Sequence, residues 1–182
     1  PFVISGDIPS FTDALFFFFS GFTTTGSSIL NDVEALSRAN LFWRSFTHWI
    51  GGMGVLVFIL ALLPIKAGGA GMYIMRAESP GPRVRKLVPK IKTTAMILYA
   101  IYFGMTVLQI ILMLLAGTPL FDAMVLSFGS AGTGGFAIKN DGLASYTNLQ
   151  QAIVTVAMIL FGVNFNFYYL LLRRKPRQAL AC

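Results

Sequence analysis

The sequence predicts an all-α integral membrane protein in which long helices flank short helices that end in re-entrant loops. Three observations support this fold class. Hydrophobic residues make up 55% of the chain and charged residues 12%, with 17 Phe among 182 residues, a composition typical of a chain surrounded by lipid. A short apolar helix followed by a Thr/Gly loop occurs twice. The basic residues are segregated into one set of connections.

The repeated segment consists of an apolar stretch too short to cross a bilayer and a polar, glycine-containing loop. The first copy runs from FTDAL at 11–15 to TTTGS at 23–27, and the second from LFDAM at 120–124 to GTGGF at 132–136. Gly26, after Thr25, is matched here with Gly134, after Thr133. Because each copy lies beside a segment long enough to span, the pattern predicts a pair of re-entrant pore loops.

Hydropathy places a first pore helix at about 10–22 and a spanning helix at about 41–63. A basic loop follows to about 92, and a second span runs over about 94–116. The second pore helix covers about 119–130, and a last span covers about 149–172 after an outer loop. These elements define a partial first repeat at 1–66, a basic link at 67–92 and a second repeat at 93–182.

Both short helices carry start signals. Ser10 with Asp13 three residues later forms a capping-box pattern, and Thr118-Pro119 places proline at a tolerated first-turn position. Both helices are therefore expected to enter from the outer face and to direct the negative end of their dipoles at the membrane interior. A pair of core helices in a soluble α-protein is the alternative, and the long apolar neighbours argue against it.

The charges predict the orientation. All of the 14 basic residues except Arg38, Arg44 and Lys139 lie in the link between two apolar segments or after the last one, and six of the 7 acidic residues, all but Glu78, lie in or beside the other connections. Basic connections stay in the cytoplasm, so the two Thr/Gly loops are assigned to the outer side. A nucleic-acid surface is not expected, because these basic residues flank apolar helices instead of forming one soluble face with aromatic residues.

The two loops are the candidate site. A partly dehydrated monovalent cation needs several oxygen ligands at once, and backbone carbonyls supply them without fixed charge. Carbonyls that turn toward one axis require backbone conformations that favour glycine, and threonine hydroxyls can add ligands or brace the loop. The candidate ion-binding residues are Thr23, Thr24, Thr25, Gly26, Ser27, Gly132, Thr133, Gly134 and Gly135.

Nearly the whole chain resembles the TrkH/TrkG branch of the Trk/Ktr/HKT potassium transporters. SGFTTTG at 20–26 looks like the first filter of that family, and FWRS at 42–45 through WIGGMG at 49–54 looks like the helix that follows. RAES at 76–79 resembles the cytoplasmic link, TGGF at 133–136 the second filter, and GVNF at 162–165 the helix after it. Together these motifs are specific, whereas few of them would be so alone.

The resemblance implies four repeats of helix, pore loop and helix in one chain, as in potassium channels, with the protein as a homodimer in the cytoplasmic membrane. This chain would hold most of repeat one and all of repeat two, so we expect it to be a fragment of a longer protein. The implied function is the pore-forming subunit of a potassium uptake system, with K⁺ as the transported ion and no covalently bound cofactor. A cytosolic TrkA-type nucleotide-binding subunit is the implied partner, and Gly26 favours potassium over sodium.

Two alternatives remain open from the sequence: a non-conducting membrane scaffold, and a sodium-permeable relative with the same fold. An enzyme is not expected, since the sequence shows no metal-ligand cluster, no nucleophile with a base and no phosphate-binding loop after a strand. Cys182 is the only cysteine, which excludes an internal disulfide.

Three further groups of residues have competing interpretations. Gly51, Gly52 and Gly54 favour close packing over a hinge. Arg44 and His48, four apart on one helix face, favour packing or hydrogen bonding over a proton relay. Asn164 and Asn166 favour structural hydrogen bonds over a cavity lining or gate, and Gly162 is placed to bend their helix. The basic link residues at 76–92 are expected to lie near anionic lipid headgroups, with contact to a cytosolic regulatory subunit as the alternative.

Overall fold

The structure is a computed structural model that describes residues 1–54 and 91–172. In these residues the regular structure is helical, with an isolated bridge between Lys139 and Gly142. The helices, numbered here in chain order, are α1 (Phe2–Ser5), α2 (Phe11–Phe22), α3 (Arg38–Gly52), α4 (Ile91–Leu115), α5 (Leu120–Ala131), α6 (Asn148–Gly162) and α7 (Phe165–Leu172). The helical architecture confirms the fold class.

The two short helices α2 and α5 lie where the sequence places them, each within one residue of the expected bounds and each 12 residues long. Ser10 caps α2, because its hydroxyl accepts a hydrogen bond from the Asp13 amide at 3.4 Å. Pro119 was expected in the first turn of α5, but it is the N-cap, one position before the helix begins at Leu120, and no side chain caps this helix. A side-chain cap therefore defines the start of α2, and a proline next to the first turn marks the start of α5.

Two expected spans are interrupted in the structure. The first was expected as one helix over 41–63, but α3 ends at Gly52 and Gly54 has a φ of 74°, a left-handed conformation that ends a helix. The last was expected as one helix over 149–172, but α6 ends at Gly162 and α7 begins at Phe165. Residues 55–63 lie outside the described part of the chain. Gly162 thus marks a break, which is stronger than the expected bend.

Helix α4 agrees with its expected span. Its segment Ala95–Leu115 is long and apolar enough to cross a membrane, and it is the one such helix among the described residues. Only 22% of its most apolar window is buried inside the structure. Large apolar side chains of α4 such as Phe103, Leu108 and Leu115 are exposed, which indicates a non-aqueous surrounding.

The chain divides into two compact units. The first comprises residues 1–52 and 104–163, and the described part of the second comprises 53–54, 91–103 and 164–172. In the second unit, the Tyr99 hydroxyl donates to the Gly54 carbonyl at 3.2 Å, and the Tyr102 ring packs edge-on against Phe165. The first unit contains both Thr/Gly loops and is the frame of the candidate site.

Two apolar clusters support the first unit. One surrounds the start of α2 and α3, and the other lies between α4, α5, α6 and the outer loop. The buried members of the first are Phe2, Ile8, Ala14, Phe17, Val33, Leu36 and Leu41, and those of the second are Met113, Ala123, Leu126, Tyr146 and Val154. Close packing of these apolar side chains holds the short helices in place.

The side chain of Asn140 joins the outer segments that follow the two loops. Its Oδ1 accepts from the Val33 amide at 2.6 Å, its Nδ2 donates to Asp32 Oδ1 at 2.8 Å, and its amide donates to Glu34 Oε1 at 3.1 Å. The hydrogen bond from Asn140 lowers the pKa of Asp32 below its usual range. The segments that follow the two loops are therefore linked by polar contacts.

We expect Asn140→Ala to lower the free energy of unfolding by about 1–3 kcal/mol, because the buried Val33 amide loses its acceptor. Unfolding of the full-length protein in mixed detergent micelles measures this change. Asn31→Ala is the control, since Asn31 is an exposed amide in the same outer segment. Equal effects of the two substitutions would show that the Asn140 contacts do not stabilise the fold.

Candidate functional site

The two loops leave their helices with the same hydrogen bonds. At the first, the Thr24 amide donates to the Gly21 carbonyl at 3.1 Å, and at the second, the Thr133 amide donates to the Ser130 carbonyl at 2.9 Å. One residue earlier, the Thr23 and Gly132 amides donate to the carbonyls four residues before them. The C-terminal turns of α2 and α5 are thus built alike, and both release the chain into a loop at equivalent residues.

The backbone torsions of the loops also repeat. Thr24 has a φ of 56° and Gly26 of 74°, while Thr25 between them is not in the positive region. Thr133 has a φ of 55° and Gly135 of 73°, again with the intervening Gly134 outside the positive region. Alternation of this kind gathers amides on one side of the chain and carbonyls on the other. Positive φ is uncommon for threonine, so both loops hold an unusual conformation.

These torsions correct the expected match between the loops. Gly26 was matched with Gly134, but the structure makes Gly26 equivalent to Gly135 and Thr25 equivalent to Gly134. The spacing along the chain is then the same as that between Phe11 and Leu120, the first residues of α2 and α5. The sequence match failed because Thr-Gly occurs both at 25–26 and at 133–134. Aligning these two dipeptides pairs Gly26 with Gly134, which is one residue away from the pairing that the torsions give.

The first loop is braced by its own side chains. Thr23 Oγ1 donates to the Phe19 carbonyl at 2.8 Å and lies 2.8 Å from Thr25 Oγ1. The Ser20 hydroxyl donates to the Ser27 carbonyl at 2.7 Å. The threonines therefore brace the backbone, which is one of the two roles considered for them from the sequence.

The loops approach each other directly. A methyl group added at Gly26 would meet the carbonyl oxygen of Gly134, and the positive φ of Gly26 disfavours any side chain there. Glycine at 26 is thus required twice, by its torsion and by the neighbouring carbonyl. Two oxygen-rich backbone segments with few fixed charges are the type of surface that can coordinate a monovalent cation.

Helix α3 packs behind both loops. On its first-loop side, a methyl group added at Gly51 would meet the Phe22 carbonyl and approach the Thr24 side chain. On its second-loop side, the His48 ring lies where a side chain of Gly134 would be. Close packing, the favoured interpretation of Gly51, agrees with these contacts, since Gly51 lies against Phe22, the last residue of α2. Gly54 instead takes a left-handed conformation after the helix end.

Phe136, just after the second loop, lies in a stack of rings and a cation. The His48 ring is stacked on it at 3.9 Å between centroids, and the Arg44 guanidinium carbon lies 3.9 Å from the Phe136 centroid and 5.3 Å from the Phe17 centroid. The Phe17 and Phe136 rings are themselves stacked, with 5.8 Å between centroids. Arg44 Nη1 also donates to the Ala137 carbonyl at 3.0 Å. All four side chains are buried. The stack therefore fixes the second loop against α2 and α3.

Sequence reasoning missed the bracing role of three residues at this site. Phe17 carries no signal that separates it from other apolar residues of the chain, and Phe136 ends the TGGF motif at 133–136, but that motif gives its side chain no bracing role. Gln109 on α4 donates to the Ser130 hydroxyl at 2.6 Å and so braces the end of α5. A buried amide in an otherwise apolar span was the available signal for Gln109.

The candidate cavity or gate residues lie apart from the loops in the chain. Gly162 ends α6, and Asn164 precedes α7, where its carbonyl accepts from the Phe167 amide at 2.9 Å. The side chain of Asn166 and the basic link up to residue 90 lie outside the described residues. Within residues 1–54 and 91–172, no group of His, Cys, Asp and Glu could hold a metal ion. Any cation at the loops would therefore depend on backbone and hydroxyl oxygens.

The chain is similar to known proteins over nearly its whole length. The family described as "TrkH: Cation transport protein" matches residues 2–180. The chain is 38% identical over 173 residues to the Trk system potassium uptake protein TrkH of Vibrio parahaemolyticus, covering 93% of this chain and 35% of that protein. It is 37% identical over 174 residues to the Trk system potassium uptake protein TrkG of Escherichia coli strain K12, covering 94% and 36%.

A solved structure is also similar. The crystal structure of the potassium transporter TrkH from Vibrio parahaemolyticus matches with a TM-score of 0.64 and 32% identity, covering 88% of this chain and 31% of that one. The chain thus spans about a third of the length of these relatives. The family match over residues 2–180, the helical fold and the repeated loops together place the chain in the TrkH family of cation transport proteins.

Proposed function

We propose that this chain forms part of the pore of a potassium uptake system, in which residues 23–27 and 132–135 supply part of a K⁺ selectivity filter. The repeated torsions of the two loops carry this proposal, because alternating φ lets neighbouring carbonyls face one side. The carbonyls would replace part of the hydration shell of the ion. The relatives named as potassium uptake proteins support the choice of ion.

The orientation and partners belong to the same proposal. The basic residues at 76–92 and 173–177 support a cytoplasmic location of those segments in a multi-pass protein of the inner (cytoplasmic) membrane, with both loops on the outer side. A homodimer of the full-length protein and a cytosolic TrkA-type nucleotide-binding subunit complete the system. The printed names of the relatives, which call it a Trk system, support a transporter with further components.

Rubidium uptake by the full-length protein in proteoliposomes tests the function. Potassium is expected to compete with rubidium at far lower concentration than sodium does. Equal competition by both ions would indicate a sodium-permeable relative. No uptake by a folded protein supplied with its cytosolic partner would favour a non-conducting scaffold and reject the proposal.

A further inference from the structure

Helix α3 meets the two loops with side chains of opposite size. Toward the first loop, which carries Thr23 and Thr25, it presents Gly51, and toward the second loop it presents His48. At the positions equivalent to the two threonines, the second loop has Gly132 and Gly134. At the first loop, the larger side chains are therefore the threonines of the loop itself. At the second loop, the larger side chain is His48 of α3.

His48 occupies the volume that the second loop leaves empty. Its ring is fully buried and overlaps the place of a side chain on Gly134, and its carbonyl oxygen lies 2.5 Å from the place of a methyl group on Gly132. Gly134 does not have a positive φ. Its torsion therefore permits other residues, and the His48 ring is what requires glycine at 134.

The ring contacts the second loop by packing. It stacks on Phe136 with an interplanar angle of 19° and lies against Gly134. Phe136 is joined to the second loop by the chain itself. The ring thus touches the loop at two places, at Gly134 and at Phe136.

We propose that His48 is a positioning residue for the second loop and that it acts as the counterpart of the Thr23–Thr25 pair that braces the first. The sizes of residues 48 and 134 are then coupled, and the fit between them sets where the Gly134 carbonyl stands beside Gly26. This inference rests on the proposed function, because its effect on transport is an effect on ion preference. It assigns ion preference to a residue outside the two loops.

A double-mutant cycle tests the coupling in the full-length protein. Gly134→Ala is expected to reduce the preference for potassium over sodium in rubidium-uptake competition by about tenfold or more, since overpacking a buried site displaces its neighbours. His48→Ala is expected to reduce it by loosening the loop. The double variant Gly134→Ala with His48→Ala should lose less preference than the two single effects combined. A purely structural role would change uptake without changing the preference.

Two controls keep the result specific. Gly104→Ala adds a methyl group in α4 where nothing lies within 4 Å, so it should leave the preference unchanged. His48→Ala should fail to rescue Gly26→Ala, because the obstruction at Gly26 is the Gly134 carbonyl and not the ring. If His48→Ala rescued Gly26→Ala as well as it rescues Gly134→Ala, the substitution would be loosening the whole site, and the proposal would be overturned.

Thermal unfolding of the same variants separates this inference from the proposed function. If the wild type shows no ion preference, the proposed function fails, and the inference fails with it as a statement about transport. The wild type can instead be selective while the double variant shows the sum of the two single-variant effects, both on ion preference and on unfolding temperature. In that case only the positioning role fails. If Gly134→Ala does not accumulate in the membrane, the double variant is still expected to accumulate. Absence of the double variant from the membrane would also overturn the coupling.

Discussion

Gly26→Ala is expected to abolish the preference for potassium in rubidium uptake and to lower the uptake itself by about tenfold or more. Two physical reasons act together at this residue. A φ of 74° is costly for alanine, and its methyl group would meet the carbonyl oxygen of Gly134. The second loop would have to move, and its oxygens would leave their positions beside the first loop. Competition by potassium and sodium in proteoliposomes measures both effects.

Two matched glycines separate torsion from obstruction. Gly142 has a φ of 67° with nothing within 4 Å of an added methyl group, so Gly142→Ala carries the torsional cost alone. Gly135 has a φ of 73° and an ordinary 3.7 Å contact with Met158, so Gly135→Ala should be milder than Gly26→Ala. If Gly142→Ala impairs selectivity as strongly as Gly26→Ala, the approach of the two loops is not the cause.

Arg44→Ala is expected to lower the free energy of unfolding by about 2–4 kcal/mol. The substitution removes a buried guanidinium that lies against the Phe136 and Phe17 rings, and it leaves the Ala137 carbonyl without its donor. Arg44→Lys should restore little of the loss, because an ammonium group cannot stack as a plane on the Phe136 ring. Unfolding in mixed detergent micelles gives the free energies.

Arg38→Ala is the matched control for this prediction. Arg38 lies in the same helix with its guanidinium carbon 5.8 Å from the Phe121 centroid, but it is exposed. Its loss should cost under about 1 kcal/mol, as for other exposed cation–π contacts. A large loss at Arg38, or a negligible one at Arg44, would show that the buried stack around Phe136 does not hold the second loop.

Much of the fold was accessible from the sequence because it depends on local patterns. Apolar stretches, the caps at Ser10 and Pro119, and the composition were enough to place α2, α4 and α5 within a few residues. The helix ends at Gly52 and Gly162 could not be predicted from the sequence, since apolar side chains continue past both glycines and hydropathy does not report backbone torsion.

The candidate site divides in the same way. The sequence by itself identified the two Thr/Gly loops and their neighbouring helices, because a short apolar helix ending in a glycine-containing loop is a local, repeated signal. Only the tertiary structure decided that Gly26 corresponds to Gly135, and that Arg44, His48 and Phe136 brace the second loop. Those relations join residues distant in the chain through torsions and packing, and hydrophobic periodicity carries no information about either.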